Sequence, residues 1–223
     1  TRRNFKQVLA KYVRRGDLVL NLSVNVSSHE VLDWCQKHGA KYLDTCIEPW
    51  PGYYDNPKIP AHQRSNYYLR YAVKEAAKKW PKGSPSGLLT MGANPGIISH
   101  FVKAGMMEIA RDKNPRARKP TTREGWARLA MDIGLKVIHV AERDTQVARI
   151  PKALDEFVNT WSIHGFVSEG LQPAELGWGT HEKRLPLDAN EHPVGPKCAI
   201  YLNQPGCVTQ VRSWTPLNGS MIG

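Results

Sequence analysis

The chain has 223 residues, 41% of them hydrophobic and 23% charged, with a net charge of +11. This is the composition of a globular chain with room for one large domain or two small ones. No apolar run approaches the roughly 20 residues a membrane-spanning helix needs, and no leader pattern opens the chain. The four cysteines form no C-x-x-C pair, so reduced thiols in a cytoplasmic protein are expected, without disulfides or a metal site.

Residues 5–15, FKQVLAKYVRR, have helical apolar spacing and stop at Gly16. DLVLNLS (17–23) predicts a buried strand, HEVLDWCQKHG (29–39) an amphipathic helix closed by Gly39, and AKYLDTC (40–46) a second strand. A helix over about residues 62–80 and the strand GLLTMG (87–92) follow. After the Asn-Pro-Gly at 94–96 comes a helix to about Arg111, then a basic Pro-containing loop, then a helix over 122–134 with Glu124 in its first turn. From LKVIHVAERD (135–144) onward, strand-like runs such as EFVNTWS, CAIYLN and CVTQVRSW are separated by Gly/Pro loops.

Strands alternating with helices imply a parallel sheet with right-handed crossovers. A doubly wound sheet normally opens on a strand, with G-x-G-x-x-G in its first turn. This chain opens on a helix and has no such motif, so an internal piece of a longer protein is expected. The fold class is α/β: a partial Rossmann-type parallel sheet over residues 1–93, then a truncated mixed α+β domain over 94–223.

The positive charge gathers in residues 2–15, 74–82 and 103–123. Most of it falls on polar helix faces or in the 113–119 loop, a solvated exterior and not a nucleic-acid groove. No zinc-finger spacing or RNA-binding aromatic signature argues otherwise.

Ligands of open parallel sheets bind beyond the carboxyl ends of the strands. Three strands here end in LSVNVSS (22–28), DTCIEPW (44–50) and MGANPG (91–96), which should share one sheet edge. Ser23, Asn25 and Thr45 suit ribose or phosphate oxygens, Gly92 permits close backbone approach, and Pro95 suits the first turn of the next helix. Each polar residue alone reads as a cap or turn. Asn94 in particular is a favoured N-cap in a common turn sequence.

A second constellation runs from AERDTQV (141–147) to EFVNTWSIHGFVSEGLQPAELGWGTHEK (156–183). Glu142 ends a strand-like run as Glu48 does. Trp161 and Glu169 flank a predicted strand-turn-strand with Gly165 as its turn. His139, His164 and His181 lack the i, i+4 spacing of a helical zinc site. Singly, these acids read as surface charges and the tryptophan as core. Together, carboxylates and an indole suit a cationic ligand, which needs neutralising charge in a partly dry site.

NLSVNVSS, YLDTCIEPWPGYY, MGANPGIISHFVK, VIHVAERDTQVA, EFVNTWSIHGFVSEGLQPAELGWGTHEK and IYLNQPG together resemble the bacterial homospermidine synthases, within the saccharopine dehydrogenase-like superfamily. The resemblance runs from about Asp17 to Pro216. It implies a Rossmann domain followed by an α+β domain and a tightly held, recycled NAD. The implied reaction transfers an aminobutyl group from putrescine to a second putrescine with loss of ammonia.

Laid on this sequence, the resemblance implies that Glu48 holds a diamine ammonium and that Asn94 sits near the nicotinamide and the reacting carbon. It implies that Glu142 and Glu169 line a polyamine channel, with Trp161 as cation–π partner, and that Ser23, Val24 and Thr45 lie against NAD. No metal, nucleic acid or membrane is implied, and the partners are putrescine and related di- and polyamines, with a homo-oligomer (a dimer) for the full-length form. Which glutamate acts as base is left open.

Two departures from the family pattern stand out. Asn25 occupies a position where the resemblance implies Asp. The N-terminal strands with their Gly-rich turn, and the C-terminal remainder, are missing, so weak or no activity is expected of these residues alone. Two rival readings are a saccharopine-type or carboxylated-polyamine dehydrogenase and a non-catalytic basic nucleic-acid binder. The first calls for Arg or Lys around the pocket, where the signature blocks offer acids; the second calls for indifference to changes at Glu48 and Trp161.

Overall fold

A computed structural model describes residues 1–141, 143, 145–179, 182–210, 215–217 and 220–222. The chain groups into two compact units, Thr1–Leu89 with Asp144–Val211, and Thr90–Arg143 with Arg212–Gly223.

The first unit opens with α1 (Phe5–Tyr12), β1 (Leu18–Asn21), α2 (Ser28–His38) and β2 (Lys41–Asp44). After a long loop and the 3-10 turn Ala61–Gln63 come α3 (Asn66–Ala77) and the short β3 (Gly87–Leu88). The three strands form a parallel sheet in the order β1-β2-β3. Leu18 pairs with Lys41 and Asn21 with Asp44, so β1 and β2 end in step and their exit loops leave one sheet edge together. That is the edge where a parallel sheet binds ligands.

α2 explains how this part folds. Ser27 caps it, its hydroxyl accepting from the backbone N–H of Glu30 at 3.2 Å. Gly39 ends it in the left-handed region with φ 75°, a conformation a side chain would strain. Between the caps, Val31, Leu32, Trp34 and Cys35 form a buried face that packs with Phe5, Tyr42, Ile47 and Val73. A fully buried side chain of this size is stabilised by roughly 1.5–3 kcal/mol.

The same unit continues with α6 (Ile163–Leu171), β4 (Pro173–Gly177), β5 (Ala189–Glu191) and β6 (Ala199–Pro205). These strands form an antiparallel sheet in the order β4-β6-β5, with Ile200 and Leu202 buried beneath it. In the second unit, α4 (Ile98–Lys113) packs with α5 (Arg123–Asp132) over Met106, Met107 and Ala110. Thr122 caps α5 through Gly125. A two-stranded antiparallel pair, β7 (Thr215–Leu217) and β8 (Ser220–Ile222), ends the chain.

The Rossmann-type parallel sheet followed by mixed α and β elements is therefore observed, and several local readings change. β1 is buried on one side only, with Leu18 and Leu20 exposed by 58% and 53%. The expected strand at 87–92 is paired only at Gly87–Leu88, because the chain leaves the sheet for the 91–97 turn. No strand forms in the described part of 135–144 or in 156–162. The expected strand-turn-strand around Gly165 is helix α6: Ser162 accepts the Gly165 N–H at 3.0 Å and starts a helix where apolar alternation suggested strands. α4 begins at Ile98 after an Ile97 cap position with no side-chain bond, so Pro95 is not in its first turn and Asn94 is not its cap.

Candidate functional site

The site assembles at the ends of β1 and β2, within the first unit. Tyr42 is buried, and its hydroxyl accepts from Asn21 Nδ2 at 3.0 Å and donates to Asp44 Oδ2 at 2.9 Å. Asn21 Oδ1 in turn accepts from the Ser23 N–H at 3.1 Å. This chain of side chains pins the start of the Leu22–Asn25 turn. Asn25 adopts φ 61°, a left-handed conformation that asparagine tolerates better than most residues, and its backbone hydrogen-bonds the Glu48 carboxylate. Ser23 and Val24 are exposed beside it, and Thr45 is half-buried.

Ser28 holds the second strand end. It is fully buried, and its N–H donates to the Glu48 carbonyl at 2.8 Å while its Oγ accepts from the Glu48 N–H at 3.0 Å and donates to the Cys46 carbonyl at 3.3 Å. The first turn of α2 thus grips both neighbours of Ile47. Beyond it, the three rings of the loop are tied separately. Trp50 Nε1 donates to Glu30 Oε1 at 2.7 Å, the Tyr53 hydroxyl to the Gln63 carbonyl at 3.1 Å, and the Tyr54 hydroxyl to Asn66 Oδ1 at 3.2 Å. A cavity of about 440 Å³ lies against this loop, lined by Ser27, Glu30, Glu48, Trp50, Tyr53 and Tyr68 among others.

Burial raises the Glu48 carboxyl above its usual range, and the charges of Glu169 and Asp44 push the same way, against hydrogen bonds from Asn25 and Cys46. The Cys46 thiol is pushed up to about 12 by burial and by Glu48, Glu169 and Asp44, which makes it an inert neighbour and not a nucleophile. Glu169 of α6 therefore acts on Glu48, and the fold brings those two sequence candidates together. Trp161 stands just before α6, 49% exposed. Its indole packs over Gly165, where an added Cβ would lie 2.9 Å from the ring, and meets Phe166 edge-on at 6.3 Å between centroids.

Asn94 belongs to the second unit, exposed at the tip of a tight turn. Gly92 donates to the Pro95 carbonyl at 2.9 Å and accepts from Ile97 at 2.8 Å. Gly96 has φ 140°, and a Cβ there would fall 2.1 Å from the Gly92 carbonyl oxygen, so only glycine closes this turn. Glu142 and His181 lie outside the described residues. Among the described residues no group of three or more potential ligands could hold a metal ion, and no helix is long and apolar enough to cross a membrane. All four cysteines are free.

The sequence reading missed a second acid. Glu175, on β4, accepts from the Tyr67 N–H at 3.4 Å and faces His192 Nε2 at 3.2 Å, and hydrogen bonds from Asn66 and Ser65 also reach it. Burial raises this carboxyl despite those bonds. His192 is fully buried, stacked on Tyr67 at 4.0 Å, and pushed down to about 4 by burial and by His62. It is neutral near pH 7, and its Nε2–H donates to Glu175. Glu175 and His192 are 17 residues apart and meet only because β6 pairs with both β4 and β5, a juxtaposition with no local sequence signal.

Comparison with known proteins agrees with this architecture. Residues 1–87 match the model of the saccharopine dehydrogenase NADP binding domain, and residues 92–217 that of the saccharopine dehydrogenase C-terminal domain. The whole chain is 50% identical to 47% of a homospermidine synthase from Blastochloris viridis, and 46% identical to 47% of one from Mesorhizobium japonicum. It also superposes on 45% of the crystal structure of a homospermidine synthase from Legionella pneumophila in complex with NAD, at 41% identity and a TM-score of 0.76. The chain spans about half the length of the curated relatives it matches.

Proposed function

The chain belongs to the saccharopine dehydrogenase family, and from that premise we propose that it is part of a homospermidine synthase. Such an enzyme moves an aminobutyl group from one putrescine to another, releases ammonia and recycles NAD. The observation that carries the reading is Glu48, its backbone clamped at a strand end by Ser28, its carboxylate bonded by the Asn25 backbone and raised by burial and by Glu169. Two acids, Glu169 and Asp44, act on Glu48, which suits an amine substrate.

The donor set at the strand ends fits one end of the cofactor. The Ser23 and Thr45 hydroxyls and the Val24 backbone are neutral hydrogen-bonding groups, suited to an amide or ribose more than to a pyrophosphate. These residues would hold the nicotinamide end. When bound, NAD supplies a hydride acceptor that becomes a hydride donor later in the cycle.

The chain's own residues handle protons and charge. A hydride leaves an amine carbon only when the nitrogen is neutral, so the substrate ammonium must first lose a proton. A carboxylate raised toward the working pH is suited to take it, and in this reading that base is Glu48. The iminium formed next is a cation. Glu169 and the indole of Trp161 stabilise it as it develops, the ring on the order of 0.5–2 kcal/mol. In this reading residues 1–93 supply the cofactor contacts and Glu48, 94–223 supply the other substrate residues, and the enzyme is a cytoplasmic dimer.

Incubating the intact polypeptide that carries these residues with putrescine and NAD tests the proposal. Homospermidine and ammonia should appear in equal amounts with no accumulation of NADH. Steady NADH accumulation without homospermidine would instead establish a dehydrogenase.

A further inference from the structure

Helix α3 forms one wall of the cavity beside Glu48. Tyr68, Leu69 and Ala72 line it from the helix, and Glu48, Trp50 and Tyr53 from the strand-end loop. The loop is also tied to the approach and first turn of this helix. The Tyr53 hydroxyl donates to the Gln63 carbonyl at 3.1 Å, the Tyr54 hydroxyl to Asn66 Oδ1 at 3.2 Å, and Arg64 Nη1 to the Tyr54 carbonyl at 2.9 Å. Where α3 starts therefore sets both a cavity wall and the seat of the loop.

That start is anchored on the antiparallel sheet, 108 residues further along the chain. Glu175 of β4 accepts from the Tyr67 N–H at 3.4 Å and from the backbone of Asn66. The first N–H groups of a helix have no partner within it, and an acid there satisfies them and suits the helix dipole. Tyr67 is gripped in turn by the segment joining β5 to β6. Its ring stacks on the buried His192 at 4.0 Å, and its hydroxyl donates to the Val194 carbonyl and accepts from the Lys197 N–H, both at 2.8 Å. A Cβ at Gly195 would lie 2.6 Å from that hydroxyl, so the segment is shaped around the ring. His192 closes the set by facing Glu175 at 3.2 Å.

We propose that Glu175 and Tyr67 are positioning residues of the amine site: they pin the start of α3 to the sheet β4-β6-β5 and, through the ties at Gln63, Arg64 and Asn66, hold the loop that places Glu48. This rests on the reading of Glu48 as the group that takes the substrate proton. Neither side chain lines the cavity, so each acts through α3 and the loop and not on the substrate. Proton transfer tolerates little displacement, since a shift of about 1 Å can cost on the order of 10²-fold.

The test is kcat for homospermidine formation by the intact polypeptide, below the melting temperature of every variant, in wild-type and Glu48→Gln backgrounds. Glu175→Ala strips the helix start of its acceptor and should lower kcat about tenfold, whereas Glu175→Gln keeps an oxygen for those N–H groups and should stay within about threefold. Tyr67→Phe keeps the stack on His192 and loses both hydroxyl bonds, for a fall of about fivefold. Because both residues act through Glu48, each loss should shrink to less than about twofold once Glu48 is replaced by glutamine; a merely structural role would multiply the losses. A wild-type kcat in folded Glu175→Ala, an equally deep loss in Glu175→Gln, or the same fall in both backgrounds overturns the proposal. Should Glu175→Ala not fold, Tyr67→Phe decides: an unchanged kcat, or an equal fall in both backgrounds, overturns it. A wild-type polypeptide that makes no homospermidine, or a Glu48→Gln variant with wild-type turnover, removes the reading of Glu48 instead, and this proposal with it.

Discussion

The two parts of the proposed amine site in the first unit are built in opposite ways. The Glu48 loop is held at nearly every step: Ser28 grips residues 46 and 48, and Trp50, Tyr53 and Tyr54 each donate to a separate partner. The segment from Trp161 to Leu171 contributes charge and an aromatic face but little fixation. Its helix has no fully buried residue, and Ile163, Phe166, Val167 and Leu171 are all about half exposed. Preorganised groups stabilise a developing charge without reorganising, whereas loosely held ones must first be ordered. The loop should therefore carry most of the effect on rate, and the helix a smaller effect on affinity.

Breaking the firm half should cost most. Glu48→Gln preserves size and removes the proton acceptor, so kcat for homospermidine formation should fall on the order of 10²-fold or more, with thermal stability little changed or improved, because a buried carboxyl raised by desolvation is lost. If Glu48→Gln keeps wild-type turnover, the base lies elsewhere and the loop is only scaffold. Trp161→Ala removes an indole from the loosely held half. The expected loss is on the order of 0.5–2 kcal/mol, read as a rise in KM for putrescine that a phenylalanine at the same position partly restores. A larger loss from Trp161→Ala than from Glu48→Gln would invert the comparison.

This contrast also marks what was legible in the sequence. The strand-end loop could be read because its signals are local. YLDTC ends a strand, Gly39 stops the helix before it, and Pro49 and Pro51 stiffen the turn after it. The segment from Trp161 to Glu169 was misread as strand-turn-strand where a helix forms. Phe157, Val158, Phe166 and Val167 look like strand residues, yet 157 and 158 join no strand and the Ser162 cap starts a helix that takes in 166 and 167. The Asn94 turn was located, yet its role as a helix cap fails because the Gly92–Gly96 closure delays the helix to Ile98. Glu175 and His192 were not legible at all, since they are joined by sheet order and not by spacing.

That hidden pair backs the firm half of the site and can be probed by pH. The His192 pKa is depressed from 6.5 to about 4 in the fold, so the unfolded chain binds its proton more readily than the native one. The sign follows from linkage: the stability His192 contributes is present above pH 6.5 and is lost as pH falls toward 4. Glu175 faces the same ring, and its raised carboxyl works the other way, adding stability on the acid side and losing it as pH rises through its folded value. Replacing His192 by phenylalanine should keep the stacking on Tyr67 and remove the histidine contribution. At neutral pH the variant should be less stable, because Glu175 loses a donor. The gap to wild type, measured from urea midpoints, should narrow as pH is lowered from 6.5 to 4. A gap that stays constant over that interval would mean that His192 is protonated alike in both states, and that Glu175 is braced by its backbone donors at Asn66 and Tyr67 alone.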